Sequence, residues 1–306
     1  MAYSKYINPY TDFGFKRLFG EEAQKALLID FLNELLPLSS KIAHLTFKSP
    51  EQMGDTFENR KAVYDIYCTA NDGTFFIVEM QKAFQEYFKD RTVFYSTFPI
   101  RAQAQKGKWD FKLSMVYCVA ILAFEFENDN YLETDEEIFE TEYFHEVELK
   151  DQRNRVFYKK LKYLFLEMPK FDKPETELSN RFEKWIYFLK NLEDFTEIPA
   201  ILNEPIFLEA FEVARVANFD QNQLDAYEES LKHYRDYHNT IDSAVRSAVK
   251  IAVNEAVNEA LDKNKKEMIV NLLTITQLPI ETIAEASNAS VEMVQQIQRE
   301  MNETGK

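Results

Sequence analysis

Asp65, Glu79 and Gln81 are the residues of this chain whose types and spacing indicate chemistry most directly. Two strand-like runs flank the tripeptide Asn-Asp-Gly at 71–73, which is typical of a type I turn followed by a left-handed glycine. In the hairpin that this turn predicts, Asp65 lies directly opposite Glu79, with Cβ atoms roughly 5 Å apart. Because side chains alternate along a strand, Gln81 lies on the same side as Glu79.

Two opposed carboxylates predict a site for a hard divalent cation, because buried carboxylates are costly without a nearby positive charge. Mg²⁺ takes oxygen ligands and keeps several waters beside one or two protein carboxylates. We therefore expect Asp65, Glu79 and the backbone carbonyl of Met80 to bind Mg²⁺, with Mn²⁺ as a substitute. Such a cation lowers the pKa of a bound water and stabilises charge on a phosphate. The alternative is an ordinary hairpin on which an Asp and a Glu happen to face each other.

The surrounding pattern predicts helices and strands in mixed order, with helices alone after residue 175. Thr11 is the expected N-cap of the first helix, and Gly20 is expected to end it. Pro99 is expected to kink the helix that follows the hairpin. The predicted elements of the first half are helices over 12–19, 21–36 and 84–106, and strands over 41–48, 63–70, 74–81, 112–126, 143–149 and 161–168.

The charge of the chain is unevenly distributed along its 306 residues. The net charge of -16 argues against a polyanionic partner. However, the segment 125–148 holds eleven acidic residues and no Lys or Arg, whereas residues 1–124 carry a net charge of +1. The first half is therefore compatible with a nucleic-acid site. We expect the acidic segment to compete with DNA, so that deletion of 129–140 raises DNA affinity.

Composition excludes several classes of protein. A hydrophobic content of 45% excludes wholesale disorder, and the longest apolar run, 113–124, is too short to span a bilayer. The first nine residues lack the apolar core of a signal peptide. Cys68 and Cys118 each lie in an apolar run and are expected to be reduced core residues, so we expect a cytoplasmic location without membrane association.

Five short motifs occur in order along the first half: TDFGFKRLFG at 11–20, NR at 59–60, YDI at 64–66, FIVEMQ at 76–81 and RTVFY at 91–95. Together they resemble the Rpn family of recombination-promoting nucleases and transposases, within the PD-(D/E)xK nuclease superfamily, over roughly residues 6–125. The resemblance implies an α/β fold with a restriction-endonuclease-like core, in which helices flank a mixed central sheet. An all-helical C-terminal region follows this core.

The family resemblance also implies an activity, that of a Mg²⁺-dependent DNA endonuclease that promotes recombination or transposition-like exchange. Asp65 and Glu79 match the metal ligands, and Asp12 matches an N-terminal acid that completes the metal shell. Gln81 stands where the superfamily has Lys. A Gln orients the attacking water by hydrogen bonds, but it carries neither positive charge nor a proton.

Three basic residues, Lys16, Arg91 and Arg60, are expected to bind DNA phosphates. Ordinary ion pairs are the alternative for these three, and a helix-start carboxylate is the alternative for Asp12. Two further functions stay open at this point. One is cleavage of RNA by the same site, and the other is a catalytically weak, nuclease-derived interaction module that acts through its helical tail.

The C-terminal half predicts a separate helical region over 171–306, following a nuclease-like domain over 1–170. It contains a long helix over about 221–276 and a short helical cap over 279–300. Ala-Val pairs recur every four residues within 244–261, and both a packing helix and a homo-oligomer through these C-terminal helices remain open. The cap resembles a helix-turn-helix in outline, but its second helix holds a single Arg, Arg299, so we expect packing or oligomerisation.

Overall fold

A computed structural model describes residues 4–38, 41–52, 62–105, 107–126 and 141–304. The strands within these ranges are β1 (Leu45–Phe47), β2 (Glu51–Gln52), β3 (Ala62–Val63), β4 (Ile66–Ala70), β5 (Phe75–Gln81), β6 (Val116–Leu122), β7 (Phe144–Lys150) and β8 (Val156–Glu167). The helices are α1 (Asp12–Phe19), α2 (Lys25–Leu35), α3 (Phe88–Ala102), α4 (Arg181–Asn191), α5 (Pro205–Ala214), α6 (Gln221–Ile275), α7 (Ile280–Ala286) and α8 (Val291–Thr304).

A mixed sheet of six strands, in the order β1-β4-β5-β6-β8-β7, forms the centre of the fold. The pairs β1/β4, β4/β5 and β7/β8 are antiparallel, whereas β5/β6 and β6/β8 are parallel. β2 and β3 form a separate two-stranded ribbon. This arrangement confirms the predicted α/β class with a mixed central sheet.

The β4–β5 hairpin has the predicted register. Ile66 pairs with Val78, and the ladder continues to the turn at 71–73. Gly73 has a φ of +84°, the left-handed conformation that the turn requires. The ladder stops at Ile66, so Asp65 lies immediately outside the paired part of β4.

Helices cover both faces of the sheet. Val78 and Met80 of β5 belong to an apolar core that also contains buried residues of α1, α2, α4 and α5. The alternate residue Ile77 packs in a second core with Phe88 and Phe98 of α3. Since side chains alternate along a strand, Glu79 lies on the face that α3 covers.

The segment before α1 packs closely against the backbone of that helix. The Thr11 side chain accepts a hydrogen bond from the Gly14 N–H at 3.0 Å, and the Gly20 N–H is donated to the Lys16 carbonyl at 2.7 Å. Both helix ends therefore follow the prediction. A Cβ atom at Gly14 would lie 2.1 Å from the Asn8 carbonyl oxygen, so only glycine fits there.

Several predicted elements are longer than the observed ones, among them the strand predicted over 41–48, of which β1 covers only Leu45–Phe47. The apolar run at 112–126 contributes β6 only over Val116–Leu122, because its hydrogen-bonding neighbour β5 ends at Gln81. Beyond the sheet, Phe124 and Phe126 pack on Phe88 instead. The helix predicted over 84–106 begins only at Phe88 and contains Pro99.

The chain forms two compact units, residues 1–234 and 235–306. The first holds the sheet, α1 to α5 and the start of α6. The second has an apolar cluster of its own, which includes Ile269, Ile283 and Val294. The predicted domain boundary near residue 170 stays a prediction. No helix in the described part of the chain combines the length and apolar character needed to cross a membrane.

Candidate active site

Asp65 lies where β4 separates from β5. Its Oδ2 atom accepts a hydrogen bond from the Met80 N–H at 2.7 Å. Beyond the pair Ile66–Val78, β5 no longer pairs with β4. The Asp65 carboxylate therefore accepts the hydrogen bond that the Met80 N–H would otherwise donate to a neighbouring strand. The Asp65 carboxylate is therefore held beside the Met80 backbone, as the prediction of a shared site requires.

Glu79 is a nearly buried carboxylate, with 7% of its surface exposed. Its Oε2 atom accepts hydrogen bonds from Gln81 Nε2 at 3.0 Å and from Arg91 Nη2 at 3.4 Å. Its Oε1 atom is buried and has no hydrogen-bond partner among the described residues. An orphaned carboxylate oxygen of this kind is costly unless a ligand completes it.

Burial is the main reason why the pKa of Glu79 rises to about 8, and the negative charge of Asp65 raises it further. The Arg91 charge and the Gln81 hydrogen bond lower it, without offsetting the rise. Burial also raises the pKa of Asp65, and the charge of Asp12 adds to that rise. Burial and the repulsion between acidic groups thus favour the protonated forms of this pair in the absence of a bound cation.

α1 and α3 bring further charged residues to Asp65. The Met80 N–H, Lys16 on α1 and Arg91 on α3 all lower the pKa of Asp65 and so oppose the effect of burial. Arg91 thus contacts the carboxylate pair directly through Glu79, whereas Asp12 and Lys16 act on Asp65 through their charges, and the predicted roles of these three residues stay predictions. Arg60 lies outside the described residues, so its expected phosphate contact stays a prediction.

Asp12 and Lys16 form an ion pair on the surface of α1, with Asp12 Oδ1 and Lys16 Nζ 2.8 Å apart. Their side chains are 57% and 45% exposed, respectively. Pairs of this kind contribute little stability and exchange partners readily. Both side chains are thus accessible to a ligand.

Arg91 is held by several contacts and does not extend freely into solvent. It donates to Gln85 Oε1 at 2.6 Å, and its guanidinium lies 5.1 Å from the Phe88 ring centre and 5.5 Å from that of Tyr95. Together with the Glu79 contact, these interactions make Arg91 a counter-ion of the carboxylate pair in this structure. The sequence analysis missed Gln85, because it lies in the irregular stretch before α3.

A cavity of about 400 Å³ opens beside Asp12 and Lys16. Lys82 also lines it, and no described residue forms a hydrogen bond or ion pair with Lys82. The sequence analysis missed this residue, although it directly follows Gln81. The other lining residues are Phe13, Arg17, Glu21, Ala226, Glu229, Ser230 and His233.

The carboxylates of Asp65 and Glu79 suit a cation that needs few ligands from the protein. Within the described ranges, no three His, Cys, Asp or Glu side chains lie close enough together to hold a metal ion. Asp65 and Glu79 provide two carboxylates, and Mg²⁺ is commonly bound by one or two carboxylates with water completing its shell. The orphaned Glu79 Oε1 is the observation that favours such a ligand.

The comparisons with known proteins agree with this arrangement. A family model described as PD-(D/E)XK nuclease family transposase matches residues 9–244. The chain belongs to this family. The matched range contains the whole sheet and the carboxylate pair. Membership of the family therefore confirms the predicted nuclease-like core and indicates a nuclease-type function. No curated protein and no solved structure gives a significant match.

Proposed function

We propose that this PD-(D/E)XK protein is a Mg²⁺-dependent DNA endonuclease whose cleavage promotes recombination or transposition-like exchange. The observation that carries the proposal is the pair formed by half-buried Asp65 and buried Glu79, in which Glu79 Oε1 has no partner among the described residues. Family membership supports the nuclease class. A cytoplasmic location fits the two cysteines, Cys68 and Cys118, which are buried and reduced.

Asp65, Glu79 and the Met80 carbonyl would hold Mg²⁺, or Mn²⁺ in its place. Asp12 of α1 would complete the shell only by moving closer when the metal binds, because no three acidic side chains of the described residues lie together at one site in this structure. When bound, a divalent cation supplies Lewis acidity, which lowers the pKa of water and stabilises charge on the phosphate. The Met80 N–H keeps the Asp65 carboxylate oriented. Burial on the sheet keeps Glu79 in a fixed position.

Gln81 is proposed to orient the attacking water. Its Nε2 donates to Glu79, so its Oε1 is available to accept a hydrogen bond from water. An amide neither accepts the proton nor adds positive charge. The role of Gln81 is therefore one of positioning.

Substrate phosphates are proposed to contact Lys16 and Lys82, which line the same cavity as Asp12. Arg91 reaches a phosphate only if it leaves Glu79, and a cation bound to Glu79 would weaken that ion pair. Arg60 keeps its proposed phosphate role.

A second candidate function is an interaction module with a weak catalytic site. Two observations favour it: Gln81 replaces the superfamily's Lys, and Arg91 already neutralises Glu79. Such a module retains the nuclease fold but cleaves no nucleic acid.

A cleavage assay with duplex DNA and RNA, with and without Mg²⁺, tests the proposal. We expect wild-type protein to cut DNA only with Mg²⁺, and Asp65→Asn and Glu79→Gln each to lose at least about 100-fold in rate. Asp90→Asn and Glu86→Gln remove exposed carboxylates nearby and serve as matched controls with unchanged rates. Folded wild-type protein that leaves DNA intact, or cuts RNA alone, contradicts the proposal.

A further inference from the structure

The middle of α6 has a ridge of apolar side chains that is exposed to solvent. Every residue over 239–264 is exposed. Large apolar side chains recur every four residues along this stretch, each 43% to 56% exposed: Ile241, Val245, Val249, Val253, Val257 and Leu261. Helices in proteins derive most of their stability from packing an apolar face, and Val is a weak helix former in isolation. The described residues offer no such packing for this ridge.

A second ridge of small side chains runs beside the first. It consists of alanines, again four residues apart: Ala244, Ala248, Ala252, Ala256 and Ala260. The two ridges are related by symmetry about the point between Ala252 and Val253. A copy running in the opposite direction and centred there therefore places five of the six large side chains of one helix against an alanine of the other, while Ile241 lies opposite Asn264.

The spacing also determines how two such helices meet. Ridges of residues four apart interdigitate when helices cross at about -50°. Because a helix has 3.6 residues per turn, a four-residue ridge rotates by about 40° with each repeat. Contact is therefore closest around the symmetry point, at Val249, Ala252, Val253 and Ala256, and it decreases towards both ends.

The charges on this segment specify the direction of the second copy. Arg246 and Lys250 lie before the symmetry point, whereas Glu255 and Glu259 lie after it. A parallel copy brings like charges together. An antiparallel copy brings the basic half of one helix to the acidic half of the other, and it also opposes the two helix dipoles.

We propose that a second copy of this chain docks antiparallel on the face formed by residues 241–263 of α6, giving a two-fold symmetric dimer. The interface is isologous, since each copy contributes the same ridges. This face contains none of the residues assigned to the nuclease site, so the proposal does not depend on the nuclease activity.

The mass of the full chain in solution tests this dimer. By light scattering after gel filtration, wild type is expected at twice the chain mass of 36.1 kDa. Val253→Glu places two carboxylates at the centre and is expected to halve that mass, with unchanged circular dichroism. Asn258→Glu adds the same charge at a position outside both ridges, and this variant is expected to remain dimeric. A monomeric wild type, or a dimeric Val253→Glu, overturns the proposal.

Two further experiments test the antiparallel direction. The first experiment reverses both basic residues. The double variant Arg246→Glu with Lys250→Glu is expected to be monomeric, and adding Glu255→Lys and Glu259→Lys to it is expected to restore the dimer.

The second experiment uses a short bismaleimide crosslinker. In an antiparallel pair, the two copies of Ala252→Cys lie next to each other and are expected to crosslink, whereas the two copies of Val245→Cys lie about 20 Å apart along the helix axis and are expected not to. Wild type is the crosslinking control, because Cys68 and Cys118 are buried. Crosslinking of both variants indicates a parallel pair and contradicts the proposal.

Discussion

At the scale of single residues, Glu79 connects the fold to the proposed chemistry. It belongs to β5, where neighbouring side chains are apolar and buried, yet its carboxylate has one oxygen without a partner among the described residues. Burial and the adjacent Asp65 raise its pKa to about 8. A protein gains nothing in stability from such a group, so a ligand-binding role is the better explanation for its presence.

Stability without metal is predicted to depend on Glu79 and pH. The pKa of this group rises from 4.5 to about 8 on folding, so the folded state holds a proton that the unfolded state loses within this window. The free energy of unfolding therefore falls as pH increases from 4.5 to 8, by up to about 1.4 kcal/mol per pH unit. Glu79→Gln is expected to remove this slope.

Urea unfolding in EDTA across this pH range, followed by the fluorescence of buried Trp185, measures the slope. Glu86→Gln, which removes an exposed carboxylate before α3, is the matched control and is expected to behave like wild type. An equally steep decline in Glu79→Gln would show that other groups cause it.

At the scale of elements, the position of α1 depends on the loop before it. The Asn8 N–H is donated to the Tyr227 hydroxyl at 2.9 Å, and Asn8 Nδ2 is donated to Glu193 at 2.6 Å, so this loop has little freedom to move. Gly14 packs directly against the Asn8 carbonyl. These contacts fix the position of α1, from which the charges of Asp12 and Lys16 act on Asp65.

Gly14→Ala is predicted to destabilise the protein. Alanine ordinarily stabilises a helix by about 1 kcal/mol relative to glycine. Here its Cβ would lie 2.1 Å from a fixed carbonyl oxygen, and overpacking of this kind costs about 1–3 kcal/mol or more. The clash therefore dominates, and the urea midpoint should decrease. An increased urea midpoint would show that the loop around Asn8 moves to accommodate the added Cβ atom.

Sequence reasoning succeeded where the determining interactions are local. The turn at 71–73 determines the register that places Asp65 at Glu79, and Thr11 and Gly20 bound α1 through contacts within four residues. It did not find Gln85 or Lys82, because their roles depend on how the segment after β5 approaches α3 and α1. That approach depends on tertiary packing of α3 against the sheet, which no short motif encodes.

At the scale of the whole molecule, the net charge of -16 does not describe the site region. Within the described part of the acidic segment, Glu146 and Glu148 of the edge strand β7 are paired with Lys162 of β8. Residues 127–140, and with them the expected competition with DNA, lie outside the described residues. The cavity that Asp12 lines has three basic residues and three acidic ones, so its formal charges balance, unlike those of the whole chain: Lys16, Arg17 and Lys82 against Asp12, Glu21 and Glu229.

The central claim, that Asp65 and Glu79 together hold a divalent cation, is tested most directly by calorimetric titration of the full chain with Mn²⁺ and Mg²⁺. Wild type is predicted to bind at a site that Asp65→Asn and Glu79→Gln each abolish, while Asp90→Asn, with an exposed carboxylate removed, binds like wild type. Equal binding by wild type and both site variants, or no binding by folded wild type, would contradict the account.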